Sequence, residues 1–413
     1  MASERVMNIQ AVTLVFISFV LGSSEFIVLG ISEDISIGIF GTTDRIADIV
    51  LLITLFAWAY AIAAPIITTT TSRMDRFKVF IALNLIFLAA NVMSFVAPDY
   101  TILAISRILT AVVSGAILAM ALAYSPIISV PENISKTIAL IFAGFSISCT
   151  VGLPLGNLIA GYDWRYTFAL VIILSAISII MAVVFLPHHT GQGYVVNHDA
   201  QGSVFEILKD GRILLTMVFS ITGVAGAYVV FSSLQPMMIH LFGFDGTMVM
   251  IGMLIFGVVA LYSNLSSSIV ADKGGYRLLR WIALIQVIVF VVMALVLEDW
   301  ILGMITILLM GAVMYQMNSA NQMHYMEIAG RDYPQSMGLA SSFNPMTFNF
   351  GIGIGALINS VLVPSAEESM VSGYTTLAYV AAIVSFVAFI AVVLIVRIEK
   401  DPEERTKEYS GSL

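Results

Sequence analysis

The sequence predicts an all-α membrane protein, with twelve transmembrane helices in two six-helix bundles. Three observations lead there. Of 413 residues, 59% are hydrophobic and only 11% charged, where a soluble domain carries about 25% charged residues. Apolar runs of bilayer-crossing length recur along the whole chain. The longest polar gap, LPHHTGQGYVVNHDAQGSVFEILKDGR, separates six such runs from six more.

The runs fall at about 7–31, 46–70, 79–97, 101–127, 136–160 and 166–187, then 213–240, 247–270, 280–297, 300–325, 335–362 and 373–397. At about 1.5 Å per residue each spans a bilayer with some tilt. The first is too long for a cleaved signal peptide and contains Glu25. The expected organisation is an N-terminal bundle over 1–187, a cytoplasmic linker over 188–212 whose SVFEILKD end suits a short interfacial helix, a C-terminal bundle over 213–397, and a cytoplasmic tail over 398–413. Placing the N-terminus in the cytoplasm puts fifteen of the eighteen Lys and Arg on that side. An odd number of crossings would destroy this bias, so it supports the count and places both termini inside a plasma or inner membrane. The formal charge of −8 belongs to the outer loops and implies no nucleic-acid partner.

Few residues carry chemistry. Glu25 stands in LGSSEFIVLG, where an ionised carboxylate facing lipid costs at least a few kcal/mol. It is expected to face the bundle interior and to load and release protons; the alternative is a pinned helix contact. Arg107 is the only Lys or Arg within a run rather than at its end. Counted from the outer ends of their helices, both lie roughly 10–12 Å deep, which invites a pair or a shared water network, as a coupling element or as a static salt bridge. TVGLPLGNLIAG brings Gly152, Pro154 and Gly156 into the fifth run. Proline opens a helix and glycine permits close approach, so this face suits either a rocking surface between halves or a simple packing kink.

In the second half, Tyr315, Asn318, Gln322 and Tyr325 are spaced for one helix face. Tyr228, Ser232 and Gln235 in the seventh run and Asn349 in the eleventh add further polar groups. They suit a neutral, hydroxyl- or amide-bearing solute, or serve as hydrogen-bond glue between helices. Short basic turns, SRMDRFK (72–78) and ADKGGYR (271–277), recur at the same place in each half, as expected of two parallel repeats with a solute site between them. Cys149 is the single cysteine, so no disulfide or cysteine-based metal site is expected. No nucleotide-binding or hydrolytic motif appears, and no enzyme activity, metal or cofactor is expected.

Over nearly its whole length the chain resembles the major facilitator superfamily, and within it the bacterial drug/proton antiporter branch that includes arabinose, sugar and purine efflux permeases. SSEFIVLGISEDI is similar to that branch's first-helix pattern. RILTAVVSGA resembles its fourth-helix arginine motif. GLPLGNLIAGYDWRYTF resembles the fifth-helix antiporter motif and the Trp-Arg-x-x-Phe turn of Trp164, Arg165 and Phe168. ASSFNPMTFNFGIGIGA is similar to the eleventh-helix run with Asn349 and Gly351. The resemblance implies a monomeric secondary transporter that exports a small organic solute against protons by alternating access. It implies Glu25 as the protonation site, Arg107 as its coupling partner, and Gly152, Pro154 and Gly156 as the antiporter signature. The branch's cytoplasmic loop motif maps onto Arg73, Asp75 and Arg76, without its glycine, and more fully onto Asp272 and Lys273, where an interdomain latch is expected. The branch carries diverse solutes, so the resemblance names no cargo. A proton-independent facilitator or importer, and a non-transporting sensor, are the competing readings.

Overall fold

The computed structural model describes residues 2–42, 45–72, 74–188, 204–362 and 370–398. Among them, twelve helical segments are long and apolar enough to cross a membrane: Ile9–Val28, Leu51–Thr70, Arg76–Phe95, Tyr100–Ile128, Pro131–Gly152, Trp164–Phe185, Gly211–Leu241, Gly246–Lys273, Tyr276–Val296, Trp300–Asp332, Pro334–Leu362 and Val371–Ile398. They are numbered here as spans one to twelve. The face where span one begins is called the near face, and the other the far face.

The starts of these helices follow from single residues. Asp99, Asp163, Asp245 and Asp299 each accept a backbone N–H from the first turn of spans four, six, eight and ten at 2.8–3.1 Å. An aspartate in this position satisfies an orphan donor and complements the positive end of the helix dipole. All four lie on the far face, so part of that face's acidity is helix capping. Asp75 and Asp210 do the same for spans three and seven on the near face.

Two large hydrophobic clusters divide the buried side chains. One runs from Leu14 to Leu186. The other takes residues from Phe219 to Ile395 and reaches into the first half only at Ala57. A third, smaller cluster on the near face gathers Ile207, Ile213, Tyr325 and Phe343. Ile207 belongs to the short 3-10 helix Val204–Lys209, so the end of the expected linker tucks one side chain under spans seven, ten and eleven while Phe205 and Leu208 stay exposed. Residues 189–203 and 399–413 lie outside the described residues, as does Arg73.

Four features went unpredicted. A short helix, Ser32–Phe40, follows span one. Span five carries a π-helical turn, Ser148–Gly152; Pro154 has no N–H to return to the carbonyl four residues back, and the turn absorbs that loss. Span seven breaks at Ser232–Ser233, and Asn359 Nδ2 donates to the carbonyl of Val229 at 2.8 Å and to Ser233 Oγ. Span ten breaks between Met314 and Asn318, so Tyr315 and Gln322 do not share one continuous helix face.

Candidate functional site: a polar cavity and a buried carboxylate

Between the two halves lies a small, partly open cavity of about 20 Å³. Its first-half wall is Tyr60, Leu118, Phe142, Phe145 and Ser146, and its second-half wall is Asn264, Tyr315, Asn318, Pro345, Phe348 and Asn349. The walls differ in chemistry. The first is mostly apolar and aromatic, while the second carries all three lining amides. Tyr315 stacks on Phe348 with centroids 5.8 Å apart and planes at 21°. The break in span ten turns Tyr315 towards the cavity, and its backbone N–H donates to Ser263 Oγ at 3.3 Å.

The halves meet around this cavity through hydrogen bonds. Asn264 Nδ2 donates to Ser146 Oγ and to the carbonyl of Phe142, and Asn318 Nδ2 donates to Asn264 Oδ1 at 2.7 Å. Near the cytoplasm-predicted end, Ser135 Oγ donates to Asp272 at 2.5 Å. Thus Asp272 does bridge the halves, while Lys273 is exposed. Asp75 serves as a cap, and Arg76 reaches the carbonyl of Ala123 in span four at 3.4 Å.

Of the expected solute-contacting residues, Tyr315, Asn318 and Asn349 line the cavity. The others are placed differently. Gln322 turns to the carbonyl of Ser341. Ser232 bonds back to the carbonyl of Tyr228 in its own helix. Gln235 lies on the outer surface. Tyr228 packs behind the wall, its ring 6.2 Å from that of Phe348. The break after Phe231 rotates the end of span seven, which periodicity could not reveal. Tyr60 and Asn264 are cavity residues that the sequence does not single out, Tyr60 because it is a lone polar group in an apolar run and Asn264 because it is one of several small polar residues in YSNLSSS.

Glu25 is 7% exposed and Arg107 2% exposed, so both point into the first bundle. No ion pair joins them. Arg107 Nη2 donates to the carbonyl of Ser24 at 2.6 Å and Nη1 to Ser24 Oγ at 3.1 Å. Ser24 Oγ donates onward to Asn91 Oδ1 at 2.9 Å. The guanidinium also lies over the Phe56 ring, 4.6 Å from its centroid. Glu25 Oε2 is buried without a hydrogen-bond partner. Its charge is nonetheless within Coulombic reach of Arg107 and of Tyr60, the cavity tyrosine. Of the two arrangements that matched depth invited, a pair or a shared water network, the direct salt bridge is not formed: helix one presents Ser24, not Glu25, to the arginine, because adjacent residues on a helix point about 100° apart.

The glycines at and just beyond the end of span five, read either as a rocking surface between halves or as a packing kink, pack within the first half. A Cβ at Gly152 would lie 3.2 Å from Ser23 Oγ, and one at Gly156 would lie 3.3 Å from Ile27. Both glycines seat span five on span one, flanking Glu25 within the same half. The contact across the halves belongs instead to Thr150, which presses on Gly257 of span eight. The Pro154 side chain lies outside the described residues.

Comparison with known proteins agrees with this architecture. The profile of the Major Facilitator Superfamily matches residues 12–356. The chain is 27% identical to the uncharacterized MFS-type transporter YtbD of Bacillus subtilis (strain 168), over 88% of this chain and 91% of that one. It is 23% identical to a probable sugar efflux transporter of Mannheimia succiniciproducens, over 92% of each. Among solved structures, the transporter FucP in its outward conformation superposes with a TM-score of 0.71 at 16% identity, covering 94% of this chain and 98% of that one. The human organic anion transporter MFSD10 superposes at 0.70 and 14% identity, covering 93% and 99%. The chain belongs to the Major Facilitator Superfamily and is a multi-pass membrane transporter of a small solute rather than an enzyme.

Proposed function

We propose that the chain exports a small organic solute in exchange for protons, with the near face in the cytoplasm. The carrying observation is Glu25: a buried carboxylate with an unpartnered oxygen, one residue from the serine that Arg107 grips. An isolated buried charge is costly, and a proton removes it. Protonation of Glu25 changes the field at Arg107 and at Tyr60, and Tyr60 lines the solute cavity. Residues 1–187 and 213–397 are the two moving bodies, and they switch access by opening the contact of Trp58 in span two with Phe350 in span eleven or that of span five with span eight. The probable sugar efflux transporter among the relatives supports outward transport.

The test is reconstitution in proteoliposomes. Counterflow with sugars, nucleosides and cationic dyes identifies a carried solute, and an imposed pH gradient then drives it. Glu25→Gln is expected to retain counterflow and lose gradient-driven accumulation. Undiminished coupling in Glu25→Gln, or wild-type transport indifferent to the gradient, overturns the proposal.

A further inference from the structure

Three buried amides of the second half, two of them on the cavity wall, share one polarity. Asn349 Nδ2 lies 3.3 Å from the carbonyl of Pro345 in its own helix. Asn344 Nδ2 lies 3.4 Å from the carbonyl of Asn318. A carbonyl oxygen only accepts, so each amide must turn its NH2 inward and its oxygen away. Asn264 gives its NH2 to the Phe142 carbonyl and Ser146 across the halves, which turns its oxygen to Asn318 and forces Asn318 to offer its own NH2 there. The result is that Oδ1 of Asn318, Asn344 and Asn349 is buried without any donor. Asn318 and Asn349 line the cavity together with Tyr60, whose hydroxyl also lacks a partner, and among the described residues no Asp, Glu, Lys or Arg lines it.

We infer that this wall reads hydrogen-bond donors, and that the solute is a small, non-anionic molecule presenting several hydroxyl or N–H groups. Buried carbonyl oxygens without donors are costly, and a solute that brings O–H or N–H groups relieves them. A carboxylate or phosphate brings further acceptors to oxygens that already lack donors, and among the described residues no cation lines the cavity to hold it. The stacked Tyr315 and Phe348 rings provide an apolar face beside these oxygens. The inference rests on the chain being a small-solute transporter and is independent of proton coupling.

The experiment measures equilibrium binding to the full chain in nanodiscs, with no gradient, by the shift of its thermal midpoint. The hydroxyl arm compares inositol with its permethyl ether. The N–H arm compares benzamide with N,N-dimethylbenzamide. The anions are gluconate and benzoate. In at least one arm the donor-bearing member is expected to bind about tenfold or more tightly than its methylated partner, and the winning arm names the donor. Methylated members that bind equally well, anions that bind tightest, or no donor-bearing probe that binds at high millimolar concentration each overturn the inference. Asn349→Leu removes one acceptor without freeing another helix, because the amide bonds only within its own span. It is expected to weaken the donor-bearing probe about tenfold, while Asn349→Asp retains binding. Unchanged affinity in a folded Asn349→Leu also overturns the inference. Because nothing here depends on a pH gradient, failure of Glu25 in coupling leaves these outcomes intact, and the reverse holds too.

Discussion

Gly257→Ala tests how the two halves close on each other. The added methyl would stand 2.7 Å from Thr150 Cγ2 and 2.8 Å from Thr150 Cβ, and would collide with Thr150 Oγ1. The carbon contacts fall about 0.6 Å short of ordinary van der Waals distance. Thr150 has little freedom to swing away. It is β-branched, and its hydroxyl donates to the carbonyl of Ser146 at 2.9 Å, the residue that Asn264 holds across the halves. Overpacking of this kind costs roughly 1–3 kcal/mol. An arrangement in which spans five and eight separate avoids the cost, so about 1–2 kcal/mol becomes a five- to thirtyfold shift in population away from the closed form. The assay is distance measurement between spin labels in a Cys149→Ser background. One pair stands at Tyr162 and Met248 on the far face, which are 89% and 45% exposed; the other stands at Lys136 and Lys273 on the near face. The far-face pair is expected to move apart, because Gly257 and Thr150 lie on the far side of mid-span. Gly257→Ala combined with Thr150→Ala is expected to restore the parent distribution. An unchanged far-face distance, or a double variant no different from Gly257→Ala alone, refutes the reasoning.

Arg107→Met forfeits two charge-assisted bonds to Ser24, worth about 1.5–3 kcal/mol each, and the contact with the Phe56 ring. It is expected to destabilise the protein by about 3–5 kcal/mol, read as a fall in thermal midpoint, with Arg107→Lys intermediate because an ammonium cannot both fork onto Ser24 and lie flat on the ring. At the near face, burial raises the Asp210 carboxyl, but hydrogen bonds from Arg212 and Tyr333 outweigh it and hold the group below its ordinary value. Its contribution is therefore present above the unfolded carboxylate pKa, about 3.9, and is lost as pH falls through the lower folded value. Asp210→Asn can keep the helix cap through its one oxygen, but it removes the charge and the second acceptor that Arg212 and Tyr333 use. It is expected to cost about 1 kcal/mol at neutral pH and nothing once the wild-type carboxyl is protonated, as comparison of thermal midpoints at the two pH values would show.

What could be read from the chain was set by physics that acts locally or along one axis. Twelve crossings follow from run length, because a bilayer demands about 20 apolar residues wherever it is crossed. The inward aim of Glu25 and Arg107 follows from the cost of a charge in lipid, which needs no knowledge of the neighbours. Lateral relations were not available in the same way. That Arg107 grips Ser24 and not Glu25, that Gly152 and Gly156 seat span five on span one, and that Thr150 meets Gly257 all depend on the rotation of each helix about its axis. So does the cavity. Tyr315 and Asn318 reach it because span ten breaks between Met314 and Asn318, and Gln235 does not because span seven breaks at Ser232. Sequence by itself determined that this is a twelve-span transporter with one acid held out of water. Only the tertiary structure decided which groups that acid and the solute meet, because helix rotation and helix breaks are settled by packing between spans, and apolar periodicity is nearly silent where both lipid and core are apolar.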